Sequence, residues 1–118
     1  MTKRDFLIYL AGPYSPYKDD LGHHHTTAGN ISKAKEMACT LWQMGFTVLA
    51  PHLNTADFEN FCSCNYEDYL AGDFTILKRC DAVLFLPDWQ KSTGSIREYN
   101  FSKQNNIPIY FKIEDLPQ

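Results

Sequence analysis

The chain has 118 residues, 44% of them hydrophobic and 21% charged, with a net charge of −3. That is enough chain for one domain, residues 1–118, with a real core, and too acidic to offer a basic surface to a nucleic acid polymer or a membrane. No apolar run approaches the ~20 residues that span a bilayer, and Tyr9 and Gly12-Pro13 cut the opening run too short for a secretory signal, so a cytoplasmic location is expected.

Phe6 to Ala11 is a near-continuous apolar run closed by Gly12-Pro13 and reads as a buried strand. Tyr14 to Gly29 is polar, carries the triplet His23-His24-His25, and reads as a loop with the histidines in solvent. From Asn30, a candidate cap, the spacing of Ile31, Ala34, Ala38, Leu41 and Trp42 predicts a helix that Gly45 ends. Phe46 to Pro51 is the second strand, and His52 to Asn65 a loop with at most a short helical turn. Tyr66 to Arg79 is helical with Leu70, Phe74 and Leu77 as its stripe, and Ala82 to Pro87 is the third strand. Ser95 to Gln104 is the next helix, Ile107 to Lys112 the last strand, and Ile113 to Gln118 a short polar tail. Strand–helix alternation at this spacing means right-handed βαβ units. The expected architecture is a three-layer α/β domain with a mainly parallel sheet of four or five strands.

Ligands of such sheets bind beyond the carboxyl ends of the strands. Gly12-Pro13-Tyr14, Pro51-His52-Leu53-Asn54 and Pro87-Asp88-Trp89 are expected to converge there. Cys39, Cys62, Cys64 and Cys80 read as free thiols, since a cytoplasmic chain with a sufficient core needs no disulfides. Cys62 and Cys64 form C-x-C, a poor zinc motif.

Glu98 carries two readings. Ser95-Ile96-Arg97-Glu98 fits a capping box, in which Glu98 only reaches back to its own helix. Alternatively, Glu98 stands in a first turn at the ligand edge, where the helix dipole favours its ionised form, ready to act as nucleophile or electrostatic stabiliser. Asp73 lies on the core-facing flank of its helix, with Tyr69 one turn earlier. Burial there raises a carboxyl pKa and suits it to proton transfer, unless it is merely capped or paired. Tyr9, inside the first strand, needs a partner for a buried hydroxyl. Ser92, Gly94 and Ser95 are candidates for an anion cradle. Trp89 and Tyr14 are candidates to sandwich a flat ring, and His52 to touch a ligand or orient its loop.

The order of these pieces resembles the nucleoside 2-deoxyribosyltransferase superfamily, which includes deoxynucleoside 5′-monophosphate N-glycosidases. The motifs that carry it are "IYLAGPYS", "PHLNTADF" and "YLAGDFTILKRCDAVLFLPDWQKSTGSIREY", and they look most like the short bacterial and phage branch. The resemblance implies a single domain of that type with a Rossmann-like (flavodoxin-like) fold. It implies Glu98 as the nucleophile that forms a covalent glycosyl-enzyme, Asp73 as the second carboxylate and Tyr9 as the residue that orients the nucleophile. Ser92 matches the serine that meets a 5′-phosphate in the hydrolases, where the transferases often carry a carboxylate. Gly12, Tyr14, His52, Asn54, Asp88, Trp89, Ser92 and Gly94 are the expected substrate contacts. The resemblance further implies a nucleoside or nucleotide substrate, a homo-oligomer, and no cofactor or metal. Two other classes compete: a nucleotide-binding module without turnover that uses the same cleft, and a metal-binding protein that joins the His triplet to Cys62 and Cys64.

Overall fold

The computed structural model describes residues 2–117. The elements run β1 (Leu7–Ala11), β2 (Tyr17–Lys18), β3 (His24–His25), α1 (Thr27–Gln43), β4 (Thr47–Leu49), α2 (Pro51–Asn54), α3 (Tyr66–Leu77), β5 (Ala82–Phe85), α4 (Thr93–Gln104) and β6 (Ile109–Tyr110). Four strands form a parallel sheet in the order β4-β1-β5-β6. The fold is Rossmann-like α/β, as the alternation of strands and helices implied. No helix of the described residues is long and apolar enough to cross a membrane.

Successive side chains of a strand point to opposite faces, and β1 therefore feeds two cores. Ile8 and Leu10 pack with Ala34, Ala38 and Leu41 of α1. Tyr9 and Ala11 pack on the other face with Val83, Phe85 and Leu77. Each large apolar side chain so buried contributes roughly 1.5–3 kcal/mol. On that second face α3 and α4 lie side by side. The rings of Phe74 and Phe101 stack 4.5 Å apart, and the Arg97 guanidinium donates to both carboxylate oxygens of Glu67 at 2.8 and 3.2 Å.

Several local expectations are corrected. The Tyr14 to Gly29 segment is not all loop: β2 and β3 pair as an antiparallel hairpin, with Tyr17 opposite His25 and their rings stacked at 4.4 Å. The helix α1 starts at Thr27, and its cap is Thr26, whose hydroxyl accepts the Gly29 N–H at 3.0 Å. Asn30 is instead buried, and its amide donates to the carbonyls of Tyr14 and Ser15, each at 3.1 Å, which pins the segment that follows β1. Trp42 is 44% exposed, with the Arg4 guanidinium over its ring. Gly45 does end α1, at a φ of +102° that favours glycine.

Candidate active site

One cleft of about 670 Å³ opens beyond the carboxyl ends of β1, β4 and β5. Its walls come from the turn after β1, from α2, from α3 and from the start of α4. Strand order reverses at β1: the chain runs outward to β4 and returns across β1 to β5, which leaves a crevice at that rim.

The capping-box reading of Glu98 is overturned. Ser92 is the N-cap of α4, and its Oγ accepts the Ser95 N–H at 3.1 Å. Glu98 thus lies in the second turn, beyond reach of the helix end. Its side chain is buried, lines the cleft, and accepts a hydrogen bond at Oε2 from the Tyr9 hydroxyl. The expected help from the helix dipole is absent at this depth. Burial dominates and pushes the Glu98 carboxyl up to about 8; the Tyr9 hydroxyl opposes that shift and the nearby Asp73 adds to it. Tyr9 is itself fully buried. Burial and the Glu98 charge raise its phenol well above the ordinary value, so it stays protonated and remains a donor.

Asp73 is half-buried on the wall that α3 supplies, and burial lifts its carboxyl to about 6. Tyr69, expected beside it, also lines the cleft, but its hydroxyl lies 3.1 Å from Cys62 Sγ. With one acid titrating near 6 and its neighbour near 8, the pair holds one proton at neutral pH. Such a pair can offer both a carboxylate and a proton to a ligand between them.

Gly12, Tyr14, His52, Ser92 and Gly94 line the same cleft. A side chain at Gly12 would drive its Cβ to 2.8 Å from Leu86 Cδ1, so only glycine lets the turn after β1 pack this closely. The Tyr14 hydroxyl donates to Glu59 at 3.1 Å and accepts the Asp57 N–H at 3.3 Å. His52 is buried, with Nε2 donating to the Pro13 carbonyl at 2.8 Å; burial lowers its pKa and keeps the ring neutral.

Three expected contacts lie outside the cleft lining. Asp88 takes a left-handed φ of +66° at the end of β5, and its carboxylate accepts the Tyr17 hydroxyl at 2.7 Å. That turn sends Trp89 back over the sheet, where its ring packs against Phe85, Tyr99 and Phe111, so the sandwich with Tyr14 does not form. Apolar burial of the indole wins over exposure at the rim. Asn54 ends α2 and faces solvent. Lys91 and Tyr66 line the cleft instead. The lysine was legible, as the cation next to Ser92; nothing local marked Tyr66.

Among the described residues, one group of potential metal ligands comes together: Asp19, His25 and Asp88. It includes neither Cys62 nor Cys64, so the expected His–Cys grouping is not assembled. The Lys33 ammonium lies 2.7 Å from His25 Nδ1 and can only donate, which leaves the proton on Nε2 facing Asp19 at 2.9 Å. The cluster is a closed hydrogen-bond knot that ties the hairpin to the end of β5, with no lone pair free on the imidazole.

Comparison with known proteins adds to this geometry. A family model described as a domain of unknown function, DUF4406, matches residues 6–111. No curated protein matches. Among solved structures, that of a 2-deoxyribosyltransferase from the psychrotolerant bacterium Bacillus psychrosaccharolyticus superposes with a TM-score of 0.56 at 20% identity, over 87% of this chain and 69% of that one. At that identity the likeness is one of fold.

Proposed function

The chain belongs to the DUF4406 family, and from that premise we propose that it cleaves or transfers at the N-glycosidic bond of a nucleoside or its 5′-monophosphate, through a covalent glycosyl-Glu98 intermediate. The observation that carries this reading is the buried Glu98 carboxyl held by Tyr9 beside Asp73 in a cleft of about 670 Å³. The 2-deoxyribosyltransferase of the same fold supports it, as do the motifs around Glu98 that resemble that superfamily.

The chemistry follows from charge. As the C1′–N bond breaks, the electron pair leaves with the base and the sugar becomes cationic. Glu98 closes on C1′ as a carboxylate, and an ester bond forms. The proton of the carboxyl pair travels to the departing base, by way of Asp73. Water or a second base then attacks C1′, the ester breaks, and Asp73 takes up the proton that the attacking group releases. Tyr9 keeps one oxygen of Glu98 fixed, leaving the other to attack. A nucleotide is favoured by Ser92 and Gly94 at the start of α4, where the cleft presents a hydroxyl at position 92 in place of a carboxylate; the Lys91 ammonium on the same wall is paired with Asp20.

The test is base release from a panel of nucleosides and 5′-monophosphates by wild type, Glu98→Ala and Glu98→Gln. Wild type releases base from at least one member and both variants lose that activity; trapped wild type gains the mass of one glycosyl group on the peptide that contains Glu98. Tight binding with the ligand recovered intact would favour a nucleotide-binding module in its place.

A further inference from the structure

Hydrogen-bond donors converge on one exposed sulfur beside the cleft. The Tyr69 hydroxyl lies 3.1 Å from Cys62 Sγ, and the backbone N–H and the thiol of Cys64 bear on the same atom. Together they hold the Cys62 thiol below its ordinary value, against partial desolvation and the Glu59 charge. The donor thiol, Cys64, is raised in turn. Both residues are anchored. The Cys62 N–H donates to the Phe58 carbonyl at 2.9 Å, and Cys64 directly precedes Asn65, the cap of α3, whose N–H donates to Asp68 at 2.8 Å. All four cysteines are free thiols. Of the other two, Cys80 is buried, and burial with the Asp81 charge pushes its thiol up to about 11, while Cys39 is exposed on α1.

A sulfur so served is the thiolate that reacts first, and a second thiol one residue away is placed to resolve the product. We propose that Cys62 and Cys64 form a redox-active dithiol beside the cleft, with Cys62 the sulfur that attacks a hydroperoxide and Cys64 the one that closes the disulfide. With hydrogen peroxide, the Cys62 thiolate attacks one oxygen, the O–O bond breaks, and the departing hydroxide takes up a proton as water. Cys62 becomes a sulfenic acid, oxidised by two electrons as the peroxide is reduced. The Cys64 sulfur then attacks the Cys62 sulfur, the S–O bond breaks, and the hydroxide leaves with the Cys64 proton as a second water. A bridge across one residue closes a small, strained and exposed ring, of the kind that a dithiol reductant opens again. Cys64 and Tyr69 both line the cleft, with Asp73 one turn further along α3. Closing the bridge removes the charge from the Cys62 sulfur, so Tyr69 loses its anionic acceptor on the wall that also holds Asp73. Neither thiol takes part in the chemistry assigned to Glu98.

The experiment exposes reduced wild type, Cys39→Ser, Cys62→Ser and Cys64→Ser to hydrogen peroxide, with and without dimedone to trap a sulfenic acid. Digestion after acidic residues then puts Cys39 and the Cys62–Cys64 pair on separate peptides for mass measurement. Without dimedone, the pair peptide of wild type and of Cys39→Ser loses two hydrogens and regains them with dithiothreitol. Cys64→Ser accumulates one dimedone adduct, on Cys62. In Cys62→Ser the same peptide is oxidised about tenfold or more slowly. Tyr69→Phe, in a separate alkylation at neutral pH, reacts at Cys62 about three- to tenfold more slowly than wild type. The assignment is overturned if Cys39 is oxidised as fast as the pair, if the pair takes up oxygen without closing a bridge, or if the bridge links Cys39 of two copies. It is equally overturned if Cys64→Ser yields no adduct, or if Cys62→Ser or Tyr69→Phe reacts at the wild-type rate. None of these readouts uses base release, so the result is separate from that of the Glu98 variants.

Discussion

Replacing Glu98 by glutamine removes the charge and keeps an acceptor for the Tyr9 hydroxyl, and it separates stability from function. The Glu98 carboxyl sits at about 8 in the fold, against an ordinary 4.5. Between those values the unfolded chain has released the proton and the folded protein still holds it. Stability therefore falls as pH rises through that window, by about 1.4 kcal/mol per pH unit, and is lowest once Glu98 ionises in the fold. The total is on the order of 3–5 kcal/mol, a large share of the 5–15 kcal/mol typical of a domain. Denaturant unfolding at several values from about pH 5 to about pH 8.5, at constant slope against denaturant, reads this directly. Wild type loses stability steadily across the range. Glu98→Gln has a much flatter profile and exceeds wild type at the alkaline end, while base release is abolished. A variant less stable than wild type at about pH 8, or one with the wild-type slope, would refute the account of a buried acid whose burial outweighs its one hydrogen bond from Tyr9.

Tyr9→Phe strips the donor from Glu98 and leaves the carboxylate oxygen unpaired. A hydrogen bond to a charged group is worth about 1.5–3 kcal/mol, so the Glu98 titration moves up by about one to two units and kcat/KM at neutral pH drops by about 10- to 100-fold; a pH–rate profile checks both. The wild-type profile of kcat/KM is a bell with limbs near about 6 and about 8, and Asp73→Asn removes the lower limb. Gly12→Ala forces a Cβ to 2.8 Å from Leu86 Cδ1 and 2.9 Å from its Cβ. The overpacking costs about 1–3 kcal/mol in unfolding experiments and weakens ligand binding, because the turn beneath the cleft must shift.

The parts of the fold that long patterns encode were legible. Phe6 to Ala11 and Ala82 to Pro87 contain β1 and β5, since buried parallel strands read as unbroken apolar runs. Ala34, Ala38 and Leu41 mark the packed face of α1. The hairpin escaped because two-residue strands carry no period; Tyr17, Asp19, His25 and Lys33 hold it through contacts between residues whose meeting depends on the fold. The start of α4 was misread because Ser92 and Ser95 are both good caps, and local sequence cannot choose between them. That choice decided whether Glu98 faced its own helix or Tyr9. Of the expected contacts, those on turns at the rim line the cleft, as Gly12, His52 and Ser92 do. Trp89 does not, because a large aromatic beside a strand end has a core to join, and the left-handed turn at Asp88 lets it do so.

Asp73 adjoins Phe74, and Glu98 adjoins Arg97, so the two acids ride between an aromatic hinge and an ionic latch that fasten α3 to α4. Carboxyl separation therefore depends on how the two helices lean on each other as well as on the sheet beneath, from which Tyr9 holds Glu98. Substitutions at the hinge or the latch are expected to widen or narrow that gap while leaving the side chains that line the cleft unchanged. In the glycosyl chemistry proposed above, that distance would decide whether an acid attacks directly or leaves room for water, and positions 67, 74, 97 and 101 are where such a change would be made.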